Sequence, residues 1–127
     1  ELSRIILAIK AVLADTDDIP TLIFDEIDTG ISGRTAWKVA EQLSVLSGAH
    51  QVICITHLPQ IAAMADVHFV IEKSSTDDMT ITDIQKVADE ESLAELARLL
   101  GSDALTEAAL FNAKEMKEQA NAFKEVR

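Results

Sequence analysis

The stretch Thr21-Leu22-Ile23-Phe24-Asp25-Glu26, continued by Ile27-Asp28-Thr29-Gly30-Ile31-Ser32-Gly33, decides how this chain is read. A continuous apolar run ending in acids fits a buried strand of a parallel sheet, not the alternation of a half-exposed strand. The segment from Asp28 to Gly33, with its two glycines, reads as a turn, and Ser32 stands where it can cap the next helix. That helix runs to about Ser47 and turns Ala36, Val39, Ala40, Leu43 and Leu46 inward. Gly48 allows a tight exit. Gln51-Val52-Ile53-Cys54-Ile55-Thr56 is a second apolar strand, with His57 at its end. Pro59 suits the first turn of a short helix through Ala65, and Val67 to Lys73 is a third strand.

Upstream, Leu2, Ile5, Ile6, Ile9, Val12 and Leu13 share one face of a helix over residues 2–13. Asp15-Thr16-Asp17-Asp18-Ile19-Pro20 ends it as a polar loop. Downstream, Ser74 to Asp78 is a hairpin-like turn, and Met79 to Val87 alternates enough to pair as an antiparallel neighbour. Two helices follow. The first carries Leu93, Leu96, Ala97 and Leu100 and stops at Gly101. The second runs from about Asp103 to Phe123, and its stripe of Leu105, Ala109, Met116, Ala120 and Phe123 reads as core packing. Strand, helix, strand, helix, strand is the pattern of an α/β fold. The expected architecture is a mostly parallel sheet flanked by helices, with a C-terminal helical pair.

The composition sets outer limits. The chain has 127 residues and is 48% hydrophobic, enough for one domain or a piece of one with a real core. No apolar run reaches the ~18 residues of a membrane span, so no membrane partner is expected. The first helix is amphipathic and does not read as a signal peptide. The single cysteine, Cys54, lies in an apolar run and reads as a buried, reduced thiol of a cytosolic protein. The formal net charge of −11 argues against a sequence-independent DNA-binding surface on this piece. The chain opens on Glu1 directly in a helical pattern, which is expected of an excised fragment.

In an open parallel sheet, ligands collect at the carboxyl ends of the strands. Asp25 and Glu26 end the first strand and His57 the second, so three polar groups arrive at one sheet edge. Adjacent residues on a strand point to opposite sides, so the two acids can do different jobs. One can hold Mg²⁺ through its water shell, since Mg²⁺ prefers carboxylate oxygen and keeps several waters. The other can orient and polarise an attacking water. A histidine on the neighbouring strand can reach a terminal phosphate. Phosphoryl transfer is mostly positioning and charge stabilisation, and it fits this division of labour. Each group also has a plain structural reading, the acids as solvated caps and the histidine as a local hydrogen-bonding side chain. Their placement at equivalent strand ends favours function. His50 and His68 show no ligand spacing, and no Cys/His metal pattern occurs.

These residues carry a resemblance. Leu22-Ile23-Phe24-Asp25-Glu26 looks like a Walker B strand with its catalytic glutamate. Ile55-Thr56-His57 looks like the switch-histidine loop of ABC-type ATPases, and Asp28 to Gly33 falls where those ATPases place the D-loop. Glu1-Leu2-Ser3-Arg4 resembles the tail of the ABC signature. Phe24 to Gly33, Thr56-His57-Leu58-Pro59-Gln60-Ile61-Ala62, and Arg98-Leu99-Leu100-Gly101 followed by Thr106-Glu107 together resemble the RecN family of bacterial DNA repair proteins, relatives of the SMC proteins. The resemblance covers nearly the whole chain.

That resemblance implies the C-terminal lobe of a split, P-loop-type ATPase head over residues 1–127, acting in double-strand break repair and recombination. It implies ATP and Mg²⁺ as cofactors, with Asp25 supporting Mg²⁺ through water, Glu26 activating water and His57 contacting the γ-phosphate. Asp28 and Ser32 belong to the nucleotide-proximal loop that communicates across a dimer of heads sandwiching ATP. The implied partners are the chain's own N-terminal head lobe with its P-loop, a second head, and DNA through the parent protein. The implied location is the bacterial cytoplasm at the nucleoid. The helix beginning near Glu1 would aim its N-terminal dipole at the partner's nucleotide. One departure concerns the D-loop, where many SMC-like heads have Asp at the position of Ser32.

No Gly-x-x-x-x-Gly-Lys-Ser/Thr occurs in the chain, so it is expected to turn over no ATP alone. Two other classes compete. A receiver-type phosphoacceptor domain would also be doubly wound and would use Thr56 and Lys73. It needs a separate strand-terminal Asp between the acid pair and Thr56, which this chain lacks. A non-catalytic interaction domain would keep Asp25 and Glu26 as solvated caps, and tolerance of their replacement would favour it.

Overall fold

The computed structural model describes residues 2–13, 16 and 18–127. Glu1, at the signature-like start, and Asp15 and Asp17 of the first loop lie outside the described residues. The elements in chain order are α1 (Leu2–Val12), β1 (Thr21–Asp25), α2 (Gly33–Leu46), β2 (Gln51–Ile55), α3 (Pro59–Met64), β3 (His68–Thr76), β4 (Met79–Val87), α4 (Asp89–Leu99) and α5 (Glu107–Val126).

β1 and β2 pair in parallel, Thr21 opposite Gln51 through Asp25 opposite Ile55. One face of this pair is packed. Leu22 and Phe24 are buried and Val52 and Cys54 half-buried, in a core with Val39, Ala40, Leu43 and Leu46 of α2 and Ile61 to Met64 of α3. Leu96 and Ala97 of α4, with Ala109, Ala113 and Ala120 of α5, continue the same core. The five residues expected to face inward from α2 are all buried. Pro59 starts α3, where its missing N–H costs nothing. α5 begins later than expected, because Thr106 accepts a hydrogen bond from the Ala109 N–H and so caps the helix.

The structure corrects the expected sheet. β3 does not join the parallel pair but forms a separate antiparallel hairpin with β4, His68 opposite Val87 through Thr76 opposite Met79. Loop closure explains the choice. The turn Asp77-Asp78 brings β3 and β4 together at little entropic cost. A parallel partner requires a crossover of a dozen or more residues. Residues 56–67, with only the short α3 among them, sit at that minimum.

The opposite face of β1–β2 is bare, with Ile23 67%, Ile53 44% and Ile55 46% exposed. The first helix forms as expected, but its apolar stripe also faces outward. Leu2, Ile5, Ile6, Ile9, Val12 and Leu13 are all exposed, and Leu7 alone among its residues is buried. α1 thus lies on α2 by the side that carries Ser3, Arg4, Leu7 and Ala11.

Candidate functional site

Because Asp25 pairs level with Ile55, the loops after β1 and β2 leave the sheet at the same edge. Asp25 is the last residue of β1 and is exposed, and Glu26 is the first residue beyond it, also exposed. Glu26 has φ 58°, the left-handed region, and is the one non-glycine with positive φ among the described residues. A side chain there costs roughly 1–3 kcal/mol, and such strain collects at functional sites. Gly30 at φ 74° and Gly33 at φ 53° take the remaining left-handed corners of the loop.

Asp28 joins the two loops. It is 4% exposed, and a single oxygen, Oδ2, receives three groups from the loop after β2. The Thr56 hydroxyl donates to it at 2.6 Å and the His57 backbone N–H at 3.0 Å. The His57 ring nitrogen Nδ1 lies 3.1 Å away. Thr56 Oγ1 in turn accepts the Leu58 N–H at 3.0 Å, which carries the chain of bonds to the start of α3. Burial pushes the Asp28 carboxyl up, but the Thr56 hydroxyl, the His57 N–H and the His57 ring outweigh it and hold the group below its ordinary value. On the other flank, Arg4 Nη1 donates to the Thr29 carbonyl at 2.6 Å and ties α1 to the same loop.

The remaining candidates fall as follows. The His57 side chain is 76% exposed, so its ring edge away from Asp28 faces solvent. Ser32 occupies the N-cap position of α2, but its side chain makes no capping hydrogen bond. Ser32 is exposed. The structure therefore brings Asp28 and His57 into contact and leaves Asp25, Glu26 and Ser32 presented around them. His50 Nδ1–H donates to the Ile19 carbonyl at 2.6 Å, at the far end of β2. His68 Nδ1 lies 2.8 Å from Ser92 Oγ, joining the hairpin to α4. Burial first, then the charges of Asp28 and Asp25, push the Cys54 thiol up to about 12, which leaves it unreactive.

Sequence reasoning named Thr56 beside the histidine but missed its bond to Asp28. Its signal was present as a hydroxyl directly after an apolar strand, next to the candidate histidine. Among the described residues no group of three or more His, Cys, Asp or Glu side chains could hold a metal alone. An exposed strand-end carboxylate nevertheless suits Mg²⁺, which is commonly held through one or two carboxylates plus substrate phosphates. No described helix is long and apolar enough to cross a membrane.

No family model matches the chain. Curated relatives do. DNA repair protein RecN of Haemophilus influenzae is 50% identical over 116 residues, 91% of this chain and 21% of that protein. RecN of Treponema pallidum is 48% identical over 116 residues, 91% of this chain and 20% of the relative. RecN of Bacillus subtilis is 44% identical over 124 residues, 98% of this chain and 22% of the relative. The chain thus spans about a fifth of the length of the curated relatives it matches, and nearly all of it is matched.

Proposed function

We propose, on the premise that this chain carries a stretch of the RecN family, that it is the C-terminal lobe of a split ABC-type ATPase head in a DNA repair protein. The observation that carries this reading is the shared sheet edge, where Asp25, Glu26 and His57 leave two parallel strands level with one another and Asp28 binds their loops together. The bare face of β1–β2 and the outward stripe of α1 support the same reading. A parallel sheet is normally covered on both faces, and four-fifths of each relative's length lies beyond the matched part.

In the proposed mechanism Glu26 sits past the strand end, free to accept a proton from water. Asp25 would hold Mg²⁺, and His57 would present its exposed ring edge to the terminal phosphate. Bound Mg²⁺ supplies charge neutralisation on the phosphates. This chain has net charge −11 and gathers acids at its edge, so it repels a polyphosphate unless counter-charge arrives from elsewhere. A P-loop lysine on the N-terminal lobe and the signature of a second head are the proposed sources. DNA contact belongs to other parts of the parent protein.

The test is to join this chain to the N-terminal lobe of its parent by a short linker and measure ATP hydrolysis with and without Glu26→Gln. The expected result is turnover that falls about 10²–10⁴-fold on substitution while ATP still binds. The chain alone is expected to show none. The bare apolar surfaces equally suit a non-catalytic interaction domain, and turnover indifferent to Glu26→Gln would put that reading first.

A further inference from the structure

We propose that Asp28 is a positioning residue that holds His57 by its Nδ1 and so decides which edge of the ring meets the phosphate. This rests on the ATPase reading and deepens it. The carboxylate is buried, so it is not a nucleotide ligand in this arrangement, and its Oδ2 faces three groups of the neighbouring loop. Two of these, the Thr56 hydroxyl and the His57 N–H, fix where the loop runs. The third, His57 Nδ1 at 3.1 Å, makes an ion-pair contact with the same oxygen. A carboxylate beside one ring nitrogen draws the proton to that nitrogen and sets the tautomer. The opposite nitrogen, Nε2, is then the one turned to solvent and available to a ligand. Glu26 and Asp28 lie on one loop, so the same turn places the proposed water-activating acid and the group that orients the phosphate-facing histidine. A shift of the β1 loop thereby moves His57 as well.

The experiment has two arms. In this chain, labelled with ¹⁵N-histidine, the ring-nitrogen shifts of His57 are compared with those of Asp28→Asn and Thr56→Val. The expected spectrum has Nδ1 protonated in the parent chain and shifts toward the Nε2-protonated form in Asp28→Asn. Thr56→Val retains the carboxylate and is expected to keep the Nδ1 form while broadening the signal. In the head completed by its N-terminal lobe, Asp28→Asn is expected to lower kcat about tenfold to a hundredfold, with the KM for ATP changed less than about twofold. Thermal melts of each variant establish that it folds, and Thr56→Val, expected to lower kcat in the same direction, serves if Asp28→Asn does not fold. A ring spectrum unchanged by Asp28→Asn overturns the proposal whatever the turnover. So does undiminished kcat in Asp28→Asn when Glu26→Gln abolishes hydrolysis. Turnover untouched by Glu26→Gln overturns the ATPase reading instead, and the ring spectrum then decides by itself whether Asp28 sets the state of His57.

Discussion

Glu26 holds its left-handed backbone with no glycine to ease it. If this strain exists to aim the carboxylate, Glu26→Gly removes it and stabilises the chain by about 1 kcal/mol, while the completed head loses hydrolysis. Urea unfolding of the two chains measures the first half, and an unchanged or lower midpoint refutes the strain argument. The neighbouring acid carries a pH signature. The folded Asp28 carboxyl is held below its ordinary value, so its contribution to stability is fully present above the usual carboxylate range near ~4. It is lost as pH falls through the depressed folded value. Asp28→Asn is therefore expected to flatten the acid limb of a stability-against-pH curve, read from denaturation midpoints between pH 6 and pH 2, roughly the span in which carboxylates titrate. At this scale the sequence shows the strand-end acids and the histidine, because a continuous apolar run announces where a strand stops. It does not show that Asp28 is buried. An acid in a Gly-rich turn looks solvated, and only the loop arriving from β2 reveals the donors that make its burial tolerable.

The elements around the site are gripped from behind by α5. Lys117 Nζ donates to the Ala63 and Ala65 carbonyls, both at 3.0 Å. Lys124 Nζ donates to the Ala65 carbonyl at 3.3 Å and pairs with Asp66 Oδ1 at 2.9 Å. Both lysines thus sit at the C-terminal end of α3, where helix carbonyls lack partners and cations are favoured. Arg127 does the same for α2, reaching the Ser44 carbonyl and hydroxyl and the Ser47 hydroxyl. Burial, with the charge of Lys124, lowers Lys117 from its ordinary value, a cost offset by the two carbonyls. Lys117→Met keeps the aliphatic stem and removes the donors, and is expected to cost roughly 1–2 kcal/mol in chemical denaturation. A loss under ~0.3 kcal/mol would show that the grip contributes nothing. Periodicity found α2 with its buried stripe and most of α5, where Ala109 and Ala120 are buried as expected, but it placed the exposed Leu105 in the stripe and left out the buried Ala113. It missed the grip, since a lysine on a helix flank reads as solvated until its acceptor is known. It also assigned β3 to the parallel sheet, because an apolar run does not say which neighbour it will pair with.

For the molecule as a whole, the uncovered surfaces are the dominant fact. Ile23, Ile53 and Ile55 on one sheet face, five large apolar residues of α1 and Leu13 just after it stand in solvent. Uncovered apolar surface of this kind favours association. The chain alone is expected to self-associate as concentration rises. Ile23→Ser with Ile55→Ser should suppress this in sedimentation or gel filtration and cost the chain under ~0.5 kcal/mol, since neither residue is packed. The same pair should prevent productive joining to the N-terminal lobe. A marked loss of stability in the isolated chain would mean that those residues are covered after all. The helix seated by its less apolar side has a kinetic counterpart. Amide hydrogens exchange through local openings whose cost follows the burial lost on opening. α1 anchors through Leu7 and the Arg4 bond to Thr29, whereas α2 buries six of its residues. Deuterium should therefore enter α1 long before α2. Docking of the proposed N-terminal lobe would slow that uptake most in the segment beside the site, so that assembly could be timed from the protection of α1 alone.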